Sequence, residues 1–422
     1  MTLYKQKLAY ILLRICIYPI GLLPISLIRR LGRGLGYLLF YCMKNYRKRT
    51  LSNLSLATSL QLDGTSLRKM AIRSFQNLAI VALEYPKFAR MRDPSRWITC
   101  KNRDKIAGLL REGQGVIFFC GHQANWETLF LDGTKHMPGA AIGKQIKNPY
   151  LYKWILSIRE QYGGKIIEQK RALKEGLHYL QQGAFLGILG DQADPESTFS
   201  FPFFGRKTKV SLAPALLSYK SKCPIAVATV KRTNKGYEIL YSDPLWPDRS
   251  KPLKQEVFRL MKETLLVFEA SVKKAPDEWL WQHNKYKQQN KRHILPRFRH
   301  ESILFLFDEA HLTFFPELST FRKIYPNAFF FIFLPKNAPK PDKTLDFEEV
   351  HFYEKPSELL LNDYRYKCVF NFTAFQAIKR HFSRKGAYEV LNYQDFVRLA
   401  PLQTEVATMF QNALSNPSNH KA

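Results

Sequence analysis

The run Gly115-Val116-Ile117-Phe118-Phe119-Cys120, followed at once by Gly121-His122-Gln123-Ala124-Asn125-Trp126-Glu127, decides how the chain is read. A short, continuous apolar stretch bounded by glycine has the form of a buried strand, and the polar stretch after it has the form of a strand-to-helix turn. Functional groups in open α/β sheets sit at such carboxyl ends of strands.

Outward from this point the same alternation continues. Lys165 to Ile167, Phe185 to Leu189, Ile225 to Val230 and Tyr237 to Tyr241 read as strands, while Leu151 to Tyr162, Arg171 to Gln182 and Val210 to Lys222 carry helical spacing. A long amphipathic stretch, Lys254 to Lys274, follows. This is the pattern of an α/β sheet with crossover helices. The basic, Pro-interrupted segment Lys285 to His300 reads as a linker or solvated arm. Beyond it, Ile303 to Phe307, Ala328 to Leu334, Val350 to Tyr353, Cys368 to Phe372 and Tyr388 to Leu391 predict a second, smaller α/β unit, with Pro335 to Lys343 as a loop and a disordered tail after Ala413.

Charge supports that division. Lys and Arg outnumber Asp and Glu by 65 to 35, yet residues 301–422 hold 14 of each sign, so the whole excess lies in residues 1–300. A chain this basic is drawn to nucleic acid, acidic lipid headgroups or a phosphorylated substrate. Its six scattered cysteines suggest a reducing compartment without a disulfide frame, and no Cys/His spacing suggests zinc or another metal. The expected organisation is residues 1–34 as a membrane anchor, 35–300 as the main domain and 301–422 as an α/β extension.

The anchor is Leu8 to Ile28, apolar except for Arg14 and Ser26 and interrupted by Pro19 and Pro24. Roughly 20 helical residues are needed to cross a bilayer core. Arg29, Arg30 and Arg33 follow it where a cleavable signal would carry small residues, so the segment is expected to be retained with the body of the protein cytoplasmic. A helix pair lying in the membrane interface and a kinked hairpin of a soluble domain are the other arrangements this pattern allows.

Chemistry concentrates after two strands. His122 and Glu127, five positions apart, would stand about 140° apart on a regular helix. They meet only if His122 lies in the turn and Glu127 in the first helical turn, where a carboxylate can hold one imidazole nitrogen and leave the other as a base. Nine of the 10 histidines have a residue five positions on, and with 35 acidic residues in the chain about 0.7 such pairs arise by chance, so context carries the assignment. A helix-capping His122 with Glu127 as a first-turn charge is the bland alternative. The second polar stretch, Gly190-Asp191-Gln192-Ala193-Asp194, also follows a strand and should open on the same edge of the sheet; Phe201-Pro202-Phe203-Phe204-Gly205-Arg206-Lys207 then suits lipid chains beside phosphate.

The pairing of a post-strand H-x4-[DE] with a later D-Q-x-D and F-F-G resembles the late acyltransferases of bacterial lipid A biosynthesis, within the lysophospholipid acyltransferase-like superfamily. The resemblance covers roughly residues 5–290 and includes Pro276-Asp277-Glu278-Trp279-Leu280-Trp281-Gln282-His283, although Asn284 and Lys285 stand where the family usually has arginines. It implies an acyltransferase-type sheet flanked by helices with an N-terminal membrane helix. It further implies transfer of a fatty acyl chain from acyl carrier protein to a hydroxyl of a phosphorylated, Kdo-bearing glycolipid at the cytoplasmic face of the inner membrane, with no cofactor. His122 would be the general base and Glu127 its orienter; Lys170 or Arg171, Asp191, Gln192 and Arg206 would bind substrate. A glycerophospholipid acyltransferase more typically pairs histidine with aspartate and carries an E-G-T-type loop, absent here. A membrane-tethered nucleic-acid binder would need a helix-turn-helix, RRM-like or zinc signature, also absent.

Overall fold

The N-terminal apolar run is not one helix. In the computed structural model, which describes residues 3–287, 293–400 and 405–415, it divides into α1 (Leu3–Ile17), a 3₁₀ turn at Pro19–Leu22 and α2 (Ile25–Cys42). Proline cannot donate to the helical ladder and pushes the preceding residue to extended backbone, and Leu23, before Pro24, has ψ 152°. The 15 residues of α1 rise about 22 Å, short of the roughly 30 Å of a bilayer core. No helix among the described residues is long and apolar enough to cross a membrane, so the expected single membrane helix over Leu8 to Ile28 is replaced by two shorter ones.

Helix α2 is two-faced. Ile28, Gly32, Gly36 and Phe40 are buried, whereas Leu27, Leu31, Leu35, Leu38 and Tyr41 form an exposed stripe. The buried face packs on α4 (Gly64–Phe88), which follows α3 (Lys44–Leu56). Gly36 is required by the approach: a Cβ there would lie 2.3 Å from the Cα of Gln76. Arg29 is buried with compensation, donating to Glu84 Oε1 (3.1 Å) and to the carbonyls of Thr233 (2.6 Å) and Gly236 (3.0 Å).

The first sheet contains β1 (Ile98–Cys100), β2 (Val116–Cys120), β3 (Gly139–Gly143), β4 (Lys165–Glu168), β5 (Phe185–Leu189), β8 (Ile225–Arg232) and β9 (Tyr237–Tyr241), in the order β1-β9-β8-β2-β5-β3-β4; β6 (Phe201–Phe203) and β7 (Arg206–Thr208) form a separate hairpin. Only the β8–β9 pairing is antiparallel within it. Helices α5 (Arg103–Arg111), α6 (Glu127–His136), α7 (Pro149–Arg159), α8 (Ala172–Gln181), α9 (Ala213–Ser221) and α10 (Leu253–Lys274) flank the sheet. Parallel pairing in register, Ile117 with Leu186 through Cys120 with Leu189, brings the turns after β2 and β5 side by side.

The second unit holds β10 (Ser302–Phe307), α11 (Leu318–Ile324), β11 (Phe329–Pro335), β12 (Phe347–Tyr353), β13 (Cys368–Phe372), α12 (Ala377–Lys385), β14 (Glu389–Asn392), α13 (Tyr393–Leu399) and α14 (Val406–Leu414). Its sheet is wholly parallel, ordered β12-β11-β10-β13-β14, around a phenylalanine core that includes Phe305, Phe321, Phe370, Phe396 and Phe410. That core reaches back to Ile294 and Phe298, and Ser415 pairs with Ile294. The segment expected as a solvated linker is therefore partly structural: Lys285 and Tyr286 are buried, and residues 288–292 lie outside the described residues. Likewise Leu414 and Ser415 of the expected tail are buried, whereas 416–422 lie outside the described residues.

The two units interlock. Arg206, expected at the lipid site, is instead buried between them: its guanidinium pairs with Glu348 and Glu349 and lies 5.6 and 5.5 Å from the rings of Phe329 and Phe331. Ser52 donates to the Arg365 carbonyl (3.1 Å) and Tyr388 to that of Asn45 (2.7 Å). The ammonium of Lys367 pairs with Glu301 and also reaches Asn284 Oδ1 (2.9 Å), although burial lowers its pKa. Removing one member of a buried pair leaves the other charge uncompensated, at a typical cost of about 3–5 kcal/mol. Lys367→Met is therefore expected to lower the thermal midpoint markedly, and the double variant Lys367→Met/Glu301→Gln to recover much of the loss; equal midpoints for Lys367→Met and the unmodified chain would show that this buried pair, internal to the second unit and touching the first only through Asn284, does not stabilise the fold.

Candidate active site

The site forms where the turns after β2 and β5 meet. Gly121 lets the chain pass α10 closely, since a Cβ there would fall 1.9 Å from the Phe268 ring. The next residue is fixed at two points: the His122 backbone N–H donates to Asp191 Oδ2 (2.9 Å), and its Nδ1 lies 2.8 Å from Asp191 Oδ1. Trp279 Nε1–H also donates to Oδ2 (2.8 Å). Asp191 is 3% exposed. Burial alone would raise its pKa, but the charge and hydrogen bonds of His122, together with the Lys285 ammonium, hold it well below the usual carboxylate range. An ionised carboxylate only accepts, so neutral His122 carries its proton on Nδ1 and presents a lone pair at Nε2.

On the Nε2 side stands Gln192, whose amide is 3.3 Å from Nε2 of His122 and 3.1 Å from Nε2 of His283; the Trp126 ring centroid lies 4.7 Å from that of His122. Partial burial, followed by the charge of His122, lowers the pKa of His283 to about 4, leaving that ring neutral near pH 7. Lys285 donates to the Asp191 carbonyl, and burial lowers its pKa to about 8.

A strap holds this loop in place. Residues around Trp279 run antiparallel to it: Ala124 N–H donates to the Glu278 carbonyl (2.8 Å), Leu280 N–H to the His122 carbonyl (3.0 Å), and Gln123 bridges with Trp279. Ala124 adopts a left-handed φ of 46°, and Asn77 Nδ2 holds both its carbonyl (3.3 Å) and that of Glu278 (2.7 Å). Strain of this kind persists where surrounding contacts over-determine the backbone.

Glu127 does not fill its expected place on the imidazole. As the first residue of α6 it turns to the end of α7, where Arg159 donates from Nε to Oε2 (2.8 Å) and from a terminal nitrogen to Oε1 (2.5 Å); Trp126 Nε1–H adds a bond of 3.1 Å. Burial acts to raise its pKa, but Arg159 outweighs this and keeps it lowered. The carboxylate on the imidazole is that of Asp191, from the neighbouring strand. Of the other expected residues, Gln192 joins the site. Lys170 and Arg171 do not: they lie on the exposed turn after β4, three strands or roughly 14 Å from β2, with Arg171 paired to Glu175 (2.9 Å). Arg159 and Lys285 were missed, because a cation's partner across the fold leaves no local spacing.

Glu127→Gln is expected to strand the buried Arg159 guanidinium and cost about 3–5 kcal/mol in chemical denaturation. Glu127→Gln/Arg159→Met should recover most of that stability. A single variant as stable as the unmodified chain would show that the pair does not fix the first turn of α6.

Residues 3–288 match the profile of the family described as bacterial lipid A biosynthesis acyltransferase. Over 271 residues the chain is 23% identical to the lipid A biosynthesis lauroyltransferase of Escherichia coli strain K12, a match that covers 63% of this chain and 87% of that protein. The matched span holds both turns, the strap and the α7 arginine, and it ends where the second unit begins. The chain belongs to the bacterial lipid A biosynthesis acyltransferases.

Proposed function

We propose that the chain transfers a fatty acyl group from an acyl carrier protein thioester to a hydroxyl of a phosphorylated, Kdo-bearing lipid A precursor, with His122 as general base. The observation that carries this reading is the His122–Asp191 pair, which leaves Nε2, beside the Gln192 amide, as the unprotonated ring nitrogen at the strand ends. A lipid hydroxyl is a poor nucleophile near neutral pH. Nε2 takes its proton as the oxygen attacks the thioester carbonyl, and Asp191 stabilises the imidazolium that forms. Collapse of the tetrahedral intermediate breaks the carbon–sulfur bond, and the imidazolium returns the proton to the departing carrier thiolate. Gln192 stands where its amide can orient the incoming hydroxyl. Glu127 acts through Arg159 by fixing the helical turn beside the base.

The basic excess serves two partners in this reading, the phosphorylated acceptor and the acidic carrier protein. Arg30, Arg33 and Arg73 line a cleft of about 480 Å³ between α2 and α4 that also contains Asn77, the side chain that holds Ala124. A headgroup phosphate bound there would lie on the far side of the catalytic loop. The enzyme works at the cytoplasmic face of the inner membrane, with α1 and the exposed stripe of α2 lying in the interface rather than spanning it.

With purified protein, an acyl carrier donor and the Kdo-bearing precursor, His122→Ala is expected to lower kcat by about 10²–10⁴ or more at a temperature where the variant remains folded, and Asp191→Asn to lower it comparably by releasing the Nδ1 tautomer. Mass spectrometry of lipid A from cells with and without the protein should differ by one acyl chain. Full turnover by His122→Ala would overturn the mechanism, and unchanged lipid A masses the assigned acceptor.

A further inference from the structure

The second unit is electrically neutral overall, with 14 basic and 14 acidic residues in 301–422, but its charges are not evenly spread. Helix α12 carries Lys379, Arg380, Arg384 and Lys385 within nine residues and no acidic residue. Its Ile378 and Phe382 face the core, while Lys379, Arg380 and Arg384 are exposed. Among the described residues neither Arg380 nor Arg384 has a carboxylate partner, and two further polar groups of the helix meet only neutral ones: Lys385 reaches Asn362 Oδ1 (2.5 Å) and His381 Nε2 donates to the Leu361 carbonyl (2.7 Å). Lys379 pairs with Asp395 (3.8 Å), whereas Arg380, Arg384 and Lys385 are not consumed by carboxylates in folding.

They face a cleft of about 770 Å³ between α12 and the N-terminal part of α4. Its lining includes Arg68, Tyr364, Arg380, His381, Arg384 and Lys385 and no carboxylate. Arg68 joins this cleft to α2: one of its terminal nitrogens lies 3.4 Å from the Tyr41 hydroxyl, and Tyr41 belongs to the exposed stripe that runs through Leu31, Leu35 and Leu38. An apolar stripe beside an uncompensated cationic cleft suits a surface that offers acyl chains and anionic headgroups together. A soluble acidic protein or a free anion would use the cleft but not the stripe.

The geometry points to a second membrane contact: the cleft between α4 and α12 takes anionic phospholipid headgroups, so that the C-terminal unit helps hold the enzyme on a negatively charged leaflet. This rests on the reading that α1 and α2 lie in the membrane interface, and the two are separable. Flotation of the full chain with phosphatidylcholine vesicles reports the apolar stripe, and the added affinity when phosphatidylglycerol is included reports the cleft. Arg380→Gln/Arg384→Gln is expected to weaken partition into phosphatidylglycerol-containing vesicles by about 30-fold at low salt, with partition into pure phosphatidylcholine and the thermal midpoint unchanged. Arg380→Lys/Arg384→Lys should retain the binding. Equal partition of the Gln variant and the unmodified chain into the anionic vesicles would overturn the proposal. So would release of the unmodified chain by inorganic phosphate at constant ionic strength, or lipid-free binding of an acidic carrier protein that the Gln variant loses. Failure to bind pure phosphatidylcholine would count against the interfacial helices alone.

Discussion

A buried carboxylate that stays ionised has to be surrounded by donors, and the requirement of Asp191 organises the site. Its two oxygens take the backbone and ring of His122 and the indole of Trp279, while a lysine sits on its carbonyl. These donors come from two distant parts of the chain, the turn after β2 and the strap. The β2–β5 register must therefore be right to one residue, and the strap from Pro276 to Tyr286 must close over the loop. Missing one donor would leave a charge in low dielectric without full compensation, which is far more costly than losing an ordinary surface bond. The geometry of the base is thus a consequence of solvating its partner.

The same constraint explains why the second unit is fused rather than tethered. The strap is pinned from behind by Asn53 on the carbonyls of Trp281 and His283, and Ser52, in the same helix, bonds the second unit. Asn284, one residue before the lysine that reaches Asp191, contacts the buried Lys367–Glu301 pair. Among the described residues the unit lends no side chain to the imidazole, yet it backs the segment that does. Charge composition marks the unit as distinct, but composition reports nothing about which carbonyls its surface meets.

What the sequence made legible was periodicity and chain order. Strands β10, β11 and β13 of the second sheet, and those of the first that precede His122 and Asp191, stood out as apolar runs, because a strand buried on both faces needs no partner to announce itself, whereas the exposed edge strand β12 was legible only from Val350 to Tyr353. Weak elements were lost: β3 is Gly-Ala-Ala-Ile-Gly, β1 is three residues long, and both depend on neighbours for their conformation. In the site, the order of the motifs placed His122, Asp191 and Gln192 together. The choice of orienting carboxylate went to the nearer residue in sequence, Glu127, because nothing local revealed that Arg159 would claim it. Arg206 was misplaced for the same reason: a cation beside aromatic residues describes an interdomain contact as well as a lipid site. The N-terminal run differs in another way: its two prolines divide between two helices a stretch that reads as one apolar segment.

Two carboxylates within five and seventy residues of one histidine thus settle into different work, and the division follows from their neighbours. Glu127 lies at the start of a helix whose next neighbour in the fold, α7, ends in arginine, and a bidentate guanidinium is a stronger partner than a neutral imidazole. With Glu127 neutralised there, the imidazole is left with Asp191 as its carboxylate partner. Two free carboxylates beside one ring would compete for its proton and blur the tautomer. Assigning one of them to Arg159 keeps Nδ1 as the only protonated nitrogen, and so keeps Nε2 open toward Gln192 and the substrate side. The ion pair that appears peripheral to the chemistry is therefore part of what gives the base a single defined direction.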